Sequence, residues 1–246
     1  MKMKKSHKPS LDFVIPVFNP VKGWEIDVIE TLDQISRQYP ELNINPVIIN
    51  DGSLNDIEPS IDQIRKKFKN VTYLYHPQNK GKGASIRKGL GESNSEFSLF
   101  IDADIPYTYS SIKSVIDHII HNNNIDVVIG VRDQSYNEKL KGRRKILSSL
   151  LMNINKHLFH LKTHDTQAGL KVMNELGRKS LMQTKANRFL FDLEFVLLCK
   201  NNNLLIQTHI VKAKSNMSSS NLSLATLIKE IPSFMQILKI YISTII

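Results

Sequence analysis

The chain has 246 residues, of which 41% are apolar, and a formal charge of +10 from 33 Lys and Arg against 23 Asp and Glu. Such a length and apolar content support one large domain or two small ones around a real core and exclude a disordered chain, while the single Cys199, inside the apolar run FVLLCK, excludes a disulfide framework and a cysteine-rich metal site and suits a reducing compartment. The basic excess attracts phosphates, nucleic acid or anionic lipid; no nucleic-acid partner is expected, because the aromatic residues sit mostly in apolar runs instead of beside the basic clusters.

Residues 1–10 read as a basic tail. The apolar stretch that follows, LDFVIPVF, is short and holds Asp12 and Pro16, unlike a signal peptide. From there short β-rich runs alternate with segments of helical period, the pattern of a parallel sheet built from strand–helix–strand units. Strands are expected at 11–18, 45–50, 71–76, 97–101 and 126–131. Between them WEIDVIETLDQISRQ, IEPSIDQIRKKF, GASIRKGL and SSIKSVIDHIIH space their apolar residues as amphipathic helices do. After GVRD the composition shifts to a basic loop, a helix over RRKILSSLLMNINKHLFH, the segment THDTQAGLKVM and a second apolar helix, FLFDLEFVLLCKN. The expected division is a nucleotide-binding half over 11–133, an acceptor half over 134–215, and amphipathic helices over 216–246.

That last segment repeats Leu224, Leu227, Ile228, Ile231, Met235, Leu238, Tyr241, Ile242 and Ile245 at helical spacing, with Pro232 dividing it into two helices. Lys229, Glu230, Pro232 and Lys239 interrupt it, so it is not expected to cross a bilayer. Packing on the domain and lying in a membrane interface both explain the stripe, and membrane association is the expected role of 216–246.

Ligands of open parallel sheets bind outside the carboxyl ends of the strands, where successive loops converge. Here those exits carry Asn19, Asp51, the pair Asp102 and Asp104, and Arg132. Burying one ionised carboxylate costs several kcal/mol unless positive charge meets it, so the acidic pair calls for a cation or an exposed rim. If the strand continues through them, residues 102 and 104 point the same way and can share one divalent ion, Mg²⁺ or Mn²⁺. The segment NKGKGASIRKGL places two glycines, Lys80 and Lys82 before a helix, which favours an anion, although a plain helix start explains it as well.

The ordered set VIPVFN, VIINDGS, NKGKGASIRKG and FIDAD resembles glycosyltransferase family 2, and the later GVRD, RRKILSSLLMNIN, DTQAGLKVM and FDLEF resemble its polyprenyl-phosphate sugar synthases, the dolichyl-phosphate mannose and glucose synthases and their bacterial relatives. The resemblance covers residues 11 to about 215. It implies an α/β GT-A (Rossmann-like) fold, a mostly parallel central sheet flanked by helices, and a nucleotide-diphosphate sugar as donor. It further implies Pro16 and Asn19 beside the base, Asp51 on base or ribose, Lys82 near the nucleotide pocket, and Asp102 with Asp104 around the metal. Arg132, Arg144, Ser148 and Gln167 match positions for sugar and acceptor phosphate, and Asp165 matches a base or an orienting group. Two positions depart from the family. Pro20 stands where Glu is frequent, and Pro106 stands where many relatives carry a metal-binding Gln, so phosphates and water are expected to hold more of the ion.

A phosphate monoester is already largely dianionic near pH 7, its second pKa being about 6, so an acceptor of that kind needs positioning more than deprotonation. The resulting expectation is an inverting hexosyltransferase acting from a UDP-linked donor on polyprenyl phosphate, peripherally bound at the inner membrane face. Transfer to a surface polysaccharide is the rival within the class, and a non-catalytic anionic-lipid or nucleic-acid module the rival outside it. One of Asp192 and Glu194 in FDLEF is expected to support the site through Arg or Lys, with ordinary helix solvation as the alternative, and His157, His160 and His164 lack the ligand spacing of a metal site.

Overall fold

The computed structural model of the chain describes residues 8–133, 149, 152–159, 161, 163, 165–214 and 230–245. Seven strands form one sheet: β1 (Ser10–Val17), β2 (Asn43–Asn50), β3 (Thr72–Tyr75), β4 (Phe97–Ile101), β5 (Val127–Arg132), β6 (Leu170–Met173) and β7 (Ile206–Val211). Their order is β3-β2-β1-β4-β6-β5-β7. All neighbours are parallel except at β6, which runs antiparallel to both β4 and β5.

All five expected strands form, within two residues of their expected bounds. So do the helices between them: α1 (Trp24–Gln38), α2 (Glu58–Lys67), α3 (Lys82–Gly91) and α4 (Tyr109–Ile120). The physical reason is visible in α1, where Trp24, Val28, Leu32 and Ile35 recur at helical spacing and are all buried, Glu25 and Asp27 stand in the first turn, and Arg37 in the last. Side-chain alternation in β1 sends Leu11, Phe13, Ile15 and Val17 to the face covered by α1, α2 and α4, and Val14 to the opposite face. That opposite face is covered by α3, by α5 (Glu175–Met182) and by α6 (Phe191–Asn201).

The reversed strand is what places the site. Because β6 runs against β4, with Ile101 opposite Leu170, the start of β6 lies at the rim where β4 ends. The chain over 165–169 therefore arrives beside Asp102 although it belongs to the second half of the sequence. Residues 134–215 thus contribute β6 and β7 to the same sheet as residues 11–133.

The C-terminal helix α7 (Ile231–Ile245) has Pro232 in its first turn, where a proline is tolerated because that N–H has no helical partner. Any helix before Pro232 lies outside the described residues. Ile237 is fully buried, and Phe234, Leu238 and Tyr241 pack on the same cluster, with the Phe159 ring 5.0 Å from Tyr241 and 6.5 Å from Phe234. The outer face keeps Ile231, Met235 and Ile242 exposed at 57%, 52% and 53%. The expected stripe is therefore divided, part packing on the domain and part facing solvent. Glu230, one of the charges interrupting the apolar segment, is buried and accepts the Phe189 and Leu190 N–H groups at 3.2 and 3.1 Å, tying the C-terminal segment to the turn that enters α6. No helix among the described residues is long and apolar enough to cross a membrane.

Ile237→Ala should lower unfolding free energy in urea titrations by about 2–5 kcal/mol, the cost of a core cavity, whereas Met235→Ser on the outer face should change it by less than about 0.5 kcal/mol.

Candidate active site

Strand β4 ends at Ile101, and a turn closed by the Ile105 N–H donating to the Asp102 carbonyl at 2.9 Å carries the two acids. The strand does not continue through them, so the turn, not strand alternation, brings residues 102 and 104 together. Ile105 takes a left-handed φ of 40°, an unfavourable state for a β-branched residue. Asp102 Oδ1 meets the Lys82 ammonium at 2.5 Å. The Asp104 carboxyl is pushed above the usual range, first by its removal from water and then by the charge of Asp102. For Lys82, desolvation pulls the pKa down, but Asp102, then Asp192, outweigh it and the net shift is upward. Two crowded carboxylates of hard oxygen, one leaning on an ammonium, fit a divalent cation.

Glycine is required against this turn. A side-chain carbon at Gly169 would lie 2.1 Å from Asp102 Oδ2, so only the bare backbone fits. Gly81, just before α3, has φ 100°, and a carbon there would meet the Asn187 carbonyl at 2.4 Å. Asp51 holds that loop in place: its buried carboxylate accepts the Lys80 and Gly81 N–H groups, both at 2.8 Å. Asn19, with φ 44°, accepts the Leu54 N–H at 2.8 Å while its own N–H donates to the Ser53 hydroxyl at 3.0 Å, tying the exits of β1 and β2 together. Pro16 lies in the last turn-ward residues of β1, paired in register with Ile49.

At the end of β5, Arg132 grips Asp165 through Nε at 2.8 Å, Nη2 at 2.6 Å and its backbone N–H at 2.9 Å. Both side chains are nearly buried. Burial works to raise the Asp165 pKa, but the Arg132 hydrogen bonds and charge outweigh it and hold the carboxyl below its usual value. Gln167 donates to the Thr166 hydroxyl at 3.3 Å, which also accepts Asn155 at 3.1 Å. Arg144 and Ser148 lie outside the described residues, as do His160 and His164.

Residues 12–187 match the family described as Glycosyl transferase family 2. The chain belongs to that family. It is 26% identical over 237 residues to the dolichyl-phosphate beta-glucosyltransferase of Dictyostelium discoideum, spanning 87% of this chain and 71% of that protein. To the protein of the same name from Saccharomyces cerevisiae it is 24% identical over 216 residues, spanning 80% of this chain and 64% of the relative. Among solved structures, glucosyl-3-phosphoglycerate synthase from Mycobacterium tuberculosis in complex with Mn²⁺, UDP and glucosyl-3-phosphoglycerate is similar at a TM-score of 0.64 and 16% identity, covering 96% of this chain and 80% of that one. The shared architecture is the expected GT-A fold.

In this family 2 glycosyltransferase the structure brings Asp102, Asp104, Lys82, Arg132, Asp165 and the Gly169 backbone to one rim, while Asp51 and Asn19 brace the loops around it. Three residues escaped the sequence reading. Tyr107 is buried and accepts the Gly169 N–H at 3.0 Å, its phenol pushed up by burial and then by the Asp102 charge. Gly169 is the second. The third is Lys171, fully buried on β6, whose ammonium donates to the Ala168 carbonyl at 2.8 Å and ion-pairs with Asp192 at the start of α6. A lone lysine inside the apolar run GLKVM was the available signal. The companion acid Glu194 accepts the Lys185 and Ala186 N–H groups at 2.9 and 2.7 Å, so both acids of FDLEF are structural members of the region instead of solvated charges.

The depressed Asp165 pKa sets a pH dependence. Its ordinary value is about 3.9, so the stabilisation from the Arg132 pair is complete above that pH and is lost as pH falls through the lower folded value. Asp165→Asn removes the buried counter-charge of Arg132, and should cost about 3–5 kcal/mol at neutral pH while flattening the acid limb of stability below about pH 4 in urea titrations.

Proposed function

We propose that this glycosyltransferase is inverting and moves a hexose from a UDP-linked donor to polyprenyl phosphate. The observation that carries the reading is the convergence, at one sheet rim, of the Asp102 and Asp104 pair faced by Lys82 with the Arg132–Asp165 pair. The first cluster suits a diphosphate and its ion, and the second puts a guanidinium at the exit of β5, where an anionic acceptor can be met. The curated relatives named dolichyl-phosphate beta-glucosyltransferases support the same acceptor class and make glucose the first sugar to test.

Asp102 and Asp104 would hold Mg²⁺ or Mn²⁺, which when bound supplies charge neutralisation for the departing nucleoside diphosphate. The chain's own residues do the rest. Lys82 faces the diphosphate from the start of α3, whose loop is fixed by Asp51. Asn19 and Pro16 line the approach for the base. Gln167 stands beside Asp165 in the segment that faces sugar and acceptor. In the transfer itself an oxygen of the acceptor phosphate bonds to the anomeric carbon while the bond from that carbon to the diphosphate oxygen breaks, the electron pair leaving with UDP. Attack from the face opposite the leaving group gives a β-linked product. A base is unnecessary because the acceptor is already ionised, and Asp165 is suited to orienting Arg132, since a carboxyl held at low pKa takes up protons poorly.

The exposed Ile231, Met235 and Ile242 on α7, with the net positive charge, support a peripheral seat on the inner membrane face, where a lipid-linked acceptor is reached.

Purified protein given labelled UDP-glucose and Mn²⁺ should glycosylate polyprenyl phosphate in preference to oligosaccharide, and exclusive labelling of the oligosaccharide overturns the acceptor. Asp102→Asn should lose several kcal/mol of charge stabilisation, reducing the rate about 100-fold or more.

A further inference from the structure

Lys171 has no assigned task, yet its surroundings are unusual. It is 0% exposed in the centre of the sheet, paired in register with Phe100 on β4 and Ile129 on β5, and its ammonium lies 5.2 Å from the Phe100 ring centre. A lysine costs so much to bury that hydrophobic replacements are normally better for stability, so its presence calls for a role beyond packing. Its two polar partners both lead to Asp102. Through the Ala168 carbonyl at 2.8 Å it holds the residue before Gly169, whose backbone packs directly on Asp102 Oδ2. Through Asp192 it fixes a second carboxylate at the start of α6, where Phe191 packs so closely on Gly83 that a side-chain carbon there would lie 2.6 Å away, next to Lys82, the residue that meets Asp102 Oδ1. Charges thus alternate from the rim inward: Asp102, Lys82, Asp192, Lys171.

We propose that Lys171, acting with Asp192, is a positioning residue that holds Asp102 in place for the donor from two sides, through the Ala168–Gly169 backbone and through Lys82. The inference deepens the donor-site reading and rests on it. Both side chains are buried behind the rim, Lys171 at 0% and Asp192 at 3% exposure. Without the strut, Gly169 and Lys82 lose their fixed places while the sheet and both hydrophobic faces remain.

The test uses the full-length chain, UDP and Mn²⁺ as probes, and two variants measured well below each variant's melting transition. Lys171→Met with Asp192→Leu removes both charges at once and so leaves no orphaned buried ion. Asp192→Asn keeps shape and an acceptor for Lys171 but removes the charge facing Lys82. Calorimetry should show UDP affinity in Mn²⁺ weakened by about 10–100-fold in the double variant, and weakened in the same direction in Asp192→Asn. With UDP-glucose and polyprenyl phosphate, KM for the donor should rise and kcat fall while KM for the acceptor stays at the wild-type value, a split that general loosening of the fold does not produce. Wild-type affinity and kcat in Asp192→Asn, or in a double variant that folds, overturn the inference alone. Absence of Mn²⁺-assisted UDP uptake by the wild type overturns the donor-site reading and this inference with it.

Discussion

Ionised carboxyl groups at the mouth of a buried strand persist only where positive charge and hydrogen bonds replace the water they have lost. In this protein Asp102 imposes that requirement on everything around it. Lys82 approaches one oxygen, the naked backbone of Gly169 leaves room for the other, and a turn strained at Ile105 holds Asp104 where burial, and then the Asp102 charge, raise its pKa. The rim is consequently built from four distant pieces of chain: the exit of β4, the start of α3, the exit of β5 and the loop entering β6.

The same rule explains why the site has depth. Lys82 needs a partner behind it as well as in front, and Asp192 supplies one; Asp192 is itself buried and needs Lys171. Glu230 then holds the turn entering the helix that carries Asp192, so the C-terminal segment reaches the vicinity of the charge ladder. At the other exit, Arg132 and Asp165 satisfy each other in a fork geometry, which explains why the acid is held ionised and acts as a brace.

Much of this was legible before any coordinates. Strands such as VIIN and FSLFI, buried on both faces, read as continuous apolar runs, and α1 and α4 carry clean helical periodicity. β6 did not read as a strand because it is four residues long with a lysine in the middle, and β7, IQTHIV, is an edge strand whose centre, Gln207, Thr208 and His209, is polar throughout. The acidic pair, Arg132 and Asp165 could be named from strand exits and motif resemblance. The pairings that hold the region could not: Asp51 engages the Lys80 and Gly81 amides, and nothing local links Lys171 to Asp192, twenty-one residues away.

By itself, then, the order of residues determined the alternation of strands and helices, the family motifs and which chemical groups sit at the strand ends, because each depends on spacing within a few neighbouring residues. Tertiary structure alone decided that β6 runs backwards, that Gly169 faces Asp102, and that Lys171 pairs with Asp192 behind that rim. Those facts depend on pairing between segments far apart in sequence, where the free energy of burying a charge is balanced by groups that no local pattern connects.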